Sequence, residues 1–428
     1  MTWADPVAAF EAIARDHERM FWLDGGGSRA WSGHRSILGW LEDDDVSLTY
    51  DATRREVHRM AGGRREVVGD DVFAVLAEEV ARDGGDPGIS WVGWFGYACR
   101  PDLPAQVAPA GPGRVPDAVW MRSPRQLVFD HAAEDGVRRT AAAAGRVAEG
   151  APARTPGHTT AVGREEYDGW FARVQEQLRL GNTYEVNLTY RGSVVSARDP
   201  VEVYLALREN NPAPYAAYLQ HDEVSVLSSS PERFATVDRR RWVETKPIKG
   251  TTPRGATPEE DEAHREALRT DPRYRAENLM VVDLLRNDLS MVCEPGTVTV
   301  PVLMDVESYP SVHQLVSTVR GRLRDGTGTV EALRALFPAG SMTGAPKLRT
   351  MQVIADVETS PRGVYAGALG WISGDGRADL GVVIRTLVAH DGVFTYGTGG
   401  GITVRSDAAS EYDETRWKAA RLLQALGS

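Results

Sequence analysis

Cysteine is almost absent: Cys99 and Cys293 are the only two in 428 residues. They lie far apart, with no CxxC pair and no histidine cluster. Neither a disulfide framework nor a thiolate metal site can be built, and the chain is expected in the cytoplasm. No window approaches 18 uninterrupted apolar residues, and the first twenty residues mix acids with bases instead of leading from a basic stretch into an apolar one. Neither a membrane span nor export is indicated. Lysine is scarce too: of 49 basic residues only Lys246, Lys249, Lys347 and Lys418 are lysines. A coding bias toward arginine accounts for most of that skew, since both side chains keep a surface soluble. Only a lysine amine can be tuned to give up its proton, however, so each surviving lysine is a site candidate.

What is present describes a large folded chain. At 42% hydrophobic and 25% charged residues the composition is that of a globular protein, and the length favours two domains or one large domain built on extended sheets. The net charge of −11 repels phosphate backbones, which argues against nucleic acid as a main partner and leaves room only for a local basic pocket.

Along the chain, residues 1–130 read as an α/β segment with glycine-rich punctuation at 25–28, 61–63 and 83–88 and an aromatic run at 91–104, which suits a core. Residues 131–162 are rich in Ala, Gly, Pro and Thr and form a connecting segment. From 163 to 428 the patterning sharpens. Tyr167, Trp170, Phe171, Val174 and Leu178 make the stripe of a helix ended at Gly181. Strands are expected at 183–191, 223–230, 240–248, 364–373, 380–390 and 393–398, and helices at 258–269, 276–288, 330–337, 346–357 and 408–426. Long strands separated by groups of helices indicate an α+β fold.

Several strand and helix ends carry chemistry. SSSPERF (228–234) presents Glu232 just past a proline, and TKPIKGTTPRG (245–255) presents Lys249 in a Gly-bounded turn, so an acid and an amine could face one cleft; ordinary charged loops fit the same spacing. Glu277 opens a helix, where an acid also suits the helix dipole. Glu411, Glu414 and Lys418 lie along one ridge of the last helix, either as an exposed ion pair or, with Glu277, as carboxylates suited to Mg²⁺, which takes few protein oxygens. Arg385 shares a strand face with Val383 and Leu387 and needs an anionic partner. Tyr365 begins a similar strand. The glycines of GTGGGIT (397–403) allow close backbone approach. In GSMTGAPK (340–347), Pro346 at the first helical position makes Thr343 to Lys347 a helix N-terminus able to receive an oxyanion.

Taken in order, SPERF, PIKGTTPRG, AENLMVVDLLRNDL, GSMTGAPK, RGVYAGALG, IRTL, GTGGGI and SEYDETRWKA resemble the motifs of the chorismate-utilising enzymes, from about residue 163 to the end and more weakly before it. Within that family the similarity is to the branch that forms aminodeoxychorismate, because PIKGT carries lysine where anthranilate-forming members have alanine. The resemblance implies a sandwich of two large antiparallel sheets with flanking helices, the N-terminal segment completing it. It implies Mg²⁺ held by Glu277 and Glu414 with Glu411 close by, and chorismate as substrate. Arg385, Tyr365 and the amides of Gly399, Gly400 and Gly401 would bind the enolpyruvyl carboxylate. Lys418 would line the metal end, with Ser341, Thr343 and Lys347 on the other flank, Thr343 among the catalytic residues. Glu232 would protonate the departing C4 hydroxyl while Lys249 attacks C2, and ammonia entering at C4 would expel the lysine. An anthranilate-type lyase that releases pyruvate and a catalytically silent chorismate-binding relative are the competing readings.

That chemistry sets a condition. A free lysine of pKa about 10.4 is neutral only about once in 2,500 molecules at pH 7, whereas Glu232 must keep its proton, so the expectation is a pocket that favours both in neutral form. Three departures stand out. The family's YQVNL is YEVNL here, with Glu185 in the substrate-binding set where aminating members have Gln and water-adding ones Lys; a carboxylate there can take a proton from ammonium. The position before LVS, often His, is Gln314 beside His313. MFWLDGG (20–26) replaces the tryptophan-sensing motif of anthranilate-forming members, which speaks against feedback by tryptophan. No glutaminase motif is found, so ammonia is expected from a separate glutamine amidotransferase subunit or from solution.

Overall fold

The computed structural model describes residues 6–25, 35–88, 90–109, 111, 114–131, 159–309 and 312–427. Of the expected features, Gly26–Ser28 and positions 132–158 of the connecting segment lie outside the described residues. The described strands form two antiparallel sheets of ten and twelve strands, counting Thr159–Thr160, which pairs with 185–195, and Thr299–Ser308, which pairs with 312–322, each beside the main order of its sheet. The first runs in the order 344–345, 185–195, 393–402, 386–390, 224–230, 215–221, 19–24, 35–40 and 126–130. The second runs 248–253, 312–322, 242–246, 233–237, 378–382, 368–373, 90–95, 118–123, 47–51, 56–61 and 64–69. Strands from the first 130 residues extend both sheets.

The sheets are held face to face by residues from both: Phe21, Leu219 and Val226 from the first meet Trp94, Val119 and Leu369 from the second in one buried cluster. Each outer face carries helices. Pro6–Asp16, Pro200–Asn210 and Ala408–Leu426 cover the first sheet through Phe10, Tyr204 and Leu422. Val72–Arg82, Pro272–Ser290 and Thr329–Leu336 cover the second through Phe73, Leu285 and Leu333. Burying a large side chain contributes about 1.5–3 kcal/mol each, and the alternation of apolar and polar residues selects which face of each strand turns inward. The α+β sandwich expected from the sequence is the observed fold.

Three expected strands differ from those observed, and the differences build the site. The segment 240–248 is broken at Pro247, which has no N–H for the ladder; Trp242–Lys246 and Ile248–Pro253 are separate strands. Segment 364–373 is a strand only from Ala368, because Gly363 and Ala366 adopt φ of +58° and +64°. Segment 380–390 splits at Arg385, at φ +50°, into Ala378–Val382 in the second sheet and Thr386–His390 in the first. The chain therefore crosses between sheets at Val383–Arg385. It also crosses at Pro231–Glu232, between Val224–Ser230 in the first sheet and Arg233–Val237 in the second. The crossings run side by side, with Val382 N–H donating to the Glu232 carbonyl at 2.9 Å and Ser229 N–H to the Arg385 carbonyl at 3.1 Å.

Candidate active site

The two crossings floor a cleft whose walls are Ile248–Thr251, the helices bearing Glu277 and Glu414, and the glycine-rich strand 397–401. Of the residues singled out in the sequence, Glu232, Lys249, Glu277, Ser341, Tyr365, Arg385, Gly399, Gly400, Gly401, Glu411, Glu414 and Lys418 all line it. They come from eight separate chain segments.

Glu232 is 5% exposed. Burial raises its carboxyl from the usual 4.5 to about 7, against the opposing pull of a hydrogen bond from Ser341 and of the Lys249 charge. It is a proton-holding acid near neutrality. Lys249 departs from expectation. Its ammonium is paired with the Glu185 carboxylate, the two side chains being 10% and 2% exposed. Burial disfavours the ammonium, yet Glu185 outweighs it and leaves the Lys249 pKa above its ordinary value. The expected neutral Lys249–Glu232 pair is thus corrected to a protonated acid beside an ion pair, because Glu185 supplies a counter-charge that the spacing of Glu232 and Lys249 alone did not include.

The glycines explain how these groups fit together. They are not a turn but the middle of the strand Val393–Ile402, paired with Glu185–Val195 in the register Asn187↔Gly401 and Thr189↔Gly399. Asn187 and Thr189 donate their N–H groups away from that neighbour, to the Thr343 carbonyl and to Glu358. Gly399 and Gly401 therefore turn their peptide groups outward as well, and the Gly399 carbonyl accepts from Lys418 at 2.9 Å. A Cβ on Gly401 would lie 2.3 Å from Glu185 Oε1 and 3.1 Å from Lys249 Nζ, so any larger residue there would have to displace the ends of the paired side chains.

Acids crowd the opposite wall. The helix Pro272–Ser290 is capped by Asp271 and begins at Pro272, which places Glu277 in its second turn and not its first. Burial, Glu185 and Glu411 raise Glu277 to about 7 against the Lys249 charge. Glu411, in the first turn of Ala408–Leu426, is raised by burial and by Glu414. Glu414 is lowered by Lys418, which donates to it at 2.7 Å. Among the described residues, the group of three ligating side chains mutually within 4.8 Å is instead Glu223, His390 and Asp391, at a surface hairpin. Glu277, Glu411 and Glu414 thus form no closed cage. Carboxylates brought from two helices to one wall, with Lys418 on Glu414 and no ion pair on Glu277 from any described residue, still match the donor chemistry of Mg²⁺, which keeps positions for substrate and water.

Arg385, at its sheet crossing, makes no ion pair with any described residue; its guanidinium lies 5.4 Å from the Trp417 ring centroid. Tyr365, in a turn and not a strand, packs its ring against Gly397 and is raised to about 12 by burial, so it is a neutral donor. Three expected residues lie outside the lining: Glu185, which pairs with Lys249, and Thr343 and Lys347. The Thr343 hydroxyl is fully buried and donates to the carbonyls of Ala339 and Gly340. Lys347 donates to Asp288 at 2.6 Å and to the carbonyls of Leu336 and Pro338. Neither lines the cleft, because Pro346 is the cap residue, not the first helical one, and Lys347 turns into the protein. Gln314 does line it, while His313 is engaged by Asp261 and Ser308. Arg273 and Tyr274, at the start of the Glu277 helix, line the cleft without having been singled out; the spacing to Glu277 is their only sequence signal.

Comparison with known proteins agrees with this geometry. The profile of a family described as chorismate binding enzyme matches residues 40–424. Aminodeoxychorismate synthase of Streptomyces griseus is 40% identical over 99% of this chain and 63% of its own. Aminodeoxychorismate synthase component 1 of Klebsiella aerogenes is 45% identical over 62% of this chain and 59% of its own. The chain thus spans less than two thirds of the length of these curated relatives. Among solved structures, anthranilate synthase component I from Streptococcus pneumoniae superposes with a TM-score of 0.77 at 27% identity, covering 92% of this chain and 93% of that one.

Proposed function

We propose that this chain, which belongs to the chorismate binding enzyme family, aminates chorismate at C4 to give 4-amino-4-deoxychorismate with the enolpyruvyl group retained. The observation that carries the reading is Lys249: an amine sits in the cleft at the position that distinguishes the aminating branch, with a proton-holding acid, Glu232, on the adjoining wall.

In this reading Arg385 and the outward amides of Gly399 and Gly401 take a substrate carboxylate, and Tyr365 donates beside them. Nζ of Lys249 forms a bond to ring C2, the two ring double bonds shift, and the C4–O bond breaks. Glu232 gives its proton to the departing oxygen, which leaves as water. Ammonia then bonds to C4, the double bonds shift back, the C2–N bond breaks, and Glu232 takes a proton from the new ammonium. Glu277 and Glu414, with Glu411, would hold Mg²⁺, which when bound would neutralise and orient the ring carboxylate. The word component in the names of two similar proteins supports a partner subunit, read here as a glutamine amidotransferase that supplies ammonia. The work is assigned to the cytoplasm; no helix among the described residues is long and apolar enough to cross a membrane.

Incubation with chorismate, Mg²⁺ and an ammonium salt, followed by mass spectrometry, is expected to give aminodeoxychorismate. Lys249→Ala should reduce product formation at least about 10³-fold, a loss of about 4 kcal/mol of barrier lowering. Fluorescent anthranilate with pyruvate would identify a lyase, and unconsumed chorismate a silent binder; either overturns the proposal.

A further inference from the structure

We propose that Glu185 is a catalytic residue, the internal proton acceptor that converts Lys249 from ammonium to attacking amine; the role rests on the amination reading above. Lys249 enters the reaction protonated and cannot attack while it is so, since an ammonium has no lone pair. Its proton needs a destination within reach. Among the described residues Glu185 makes the one ion pair with Lys249, and no other side chain or backbone donor reaches the Glu185 carboxylate.

The other charged groups that face Lys249 are each otherwise placed. Glu232 holds its own proton for the C4 oxygen and accepts from Ser341. Glu277 and Glu414 face the amine from the two flanking helices without an ion pair to it, and Glu414 is engaged by Lys418. Arg273 is a guanidinium with no acceptor, and Lys418 already donates to Glu414 and to the Gly399 carbonyl. Gly401 opens the space that lets the Glu185 carboxylate and the amine touch. The contact is therefore one that the glycine strand is shaped to admit.

The transfer moves one proton from Nζ to a Glu185 oxygen. The pair is net neutral before and after, so the interior takes on no charge and no proton has to come from or go to water. Expulsion of water by the entering ring favours the uncharged form of the pair. The freed lone pair forms the C2–N bond. When ammonia expels the lysine, the C2–N electron pair returns to Nζ as a neutral amine, and Glu185 gives its proton back. Every proton is accounted for within the two residues.

The test is Glu185→Gln, a substitution that keeps size and loses the acceptor. Wild type should show the kcat profile of the acids that titrate near 7, Glu232 and Glu277, with no added step from Lys249, since the pair carries one shared proton throughout. In the variant, Lys249 must lose its proton to water, so the ratio of variant to wild-type kcat should be at most one tenth at pH 7 and climb toward one as pH rises to 9, with KM for chorismate within about twofold. A second readout needs no turnover: lysine labelled with ¹³C at Cε gives only four signals in this chain, and Lys249→Arg identifies one of them. That signal should stay constant in wild type over pH 6.5 to 8.5 and titrate at lower pH in the variant than in wild type. A variant whose kcat profile overlays wild type, or whose Lys249 signal titrates unchanged, overturns the role of Glu185 and leaves amination standing. A wild type that forms no aminated product overturns amination and the role together.

Discussion

Lys418 lies one turn after Glu414 on the last helix and donates to its carboxylate at 2.7 Å. The contact lowers Glu414 into the ionised range, while Glu277 across the cleft is raised to about 7 by burial. The two acids proposed to hold Mg²⁺ therefore start in different protonation states near neutrality. Glu277 must shed its proton before it can ligate a cation. Apparent Mg²⁺ affinity is expected to weaken as pH falls from 8 to 6, with about one proton released per ion at pH 6 and almost none at pH 8. Calorimetry in buffers of different ionisation enthalpy reads this directly; equal affinity and no proton release at pH 6 would contradict it.

Glu232 gives a stability prediction with a definite sign. Its folded pKa of about 7 lies above the usual 4.5. Its contribution to stability is therefore fully present below pH 4.5 and is lost as pH rises through 7. At pH 8 the ionised, buried carboxylate costs up to about 3 kcal/mol. Glu232→Gln removes that cost, so it should raise Tm at pH 8 by about 2 °C or more, leave Tm unchanged at pH 4.5, and abolish the proposed proton delivery. Calorimetric scans at the two pH values decide it; a variant less stable at both would show that the carboxylate is favourably solvated.

Gly401→Ala tests the strand as the wall of the site. The added methyl would lie 2.3 Å from a Glu185 oxygen, and no positive φ is involved, so the backbone itself tolerates alanine. Product formation should fall at least about 100-fold, about 2.7 kcal/mol, with β-sheet circular dichroism retained. Activity within twofold of wild type would mean that the Lys249–Glu185 contact has room to spare.

Lys347→Met separates a structural lysine from a site lysine. The substitution strands Asp288 in the interior without its cation, a situation that costs about 3–5 kcal/mol. Urea unfolding should show the loss, while KM for chorismate in the folded fraction remains within about twofold. A KM raised tenfold at unchanged stability would return Lys347 to the anion-binding wall.

Much of this was legible in the residues. Helical periods at 258–269, 346–357 and 408–426 are observed within a residue or two, because the apolar stripe and the capping residues Thr257 and Asp407 act locally. The candidate acids, Arg385 and Lys249 were also visible, since a polar group at the end of an apolar strand must find a use. The breaks at Pro247 and Arg385 were not. A crossing between sheets and a continuous strand share one pattern of alternation until the partner strands are known. Lys347 was misplaced for a related reason: its fate turned on Asp288 of another helix.

The order of apolar, glycine and charged residues in this chain was enough to specify which segments become strands and helices, that they pack as an α+β protein, and which few side chains carry chemistry. Only the folded arrangement decided who partners whom. Glu185 and Lys249 are 64 positions apart, and whether that amine is neutral or charged depends on a carboxylate delivered by a strand of the other sheet through a gap left by a glycine. Local sequence determines conformation through short-range sterics and periodicity; the charge state of a buried group is set by everything within a few ångströms of it, and most of that comes from elsewhere in the chain.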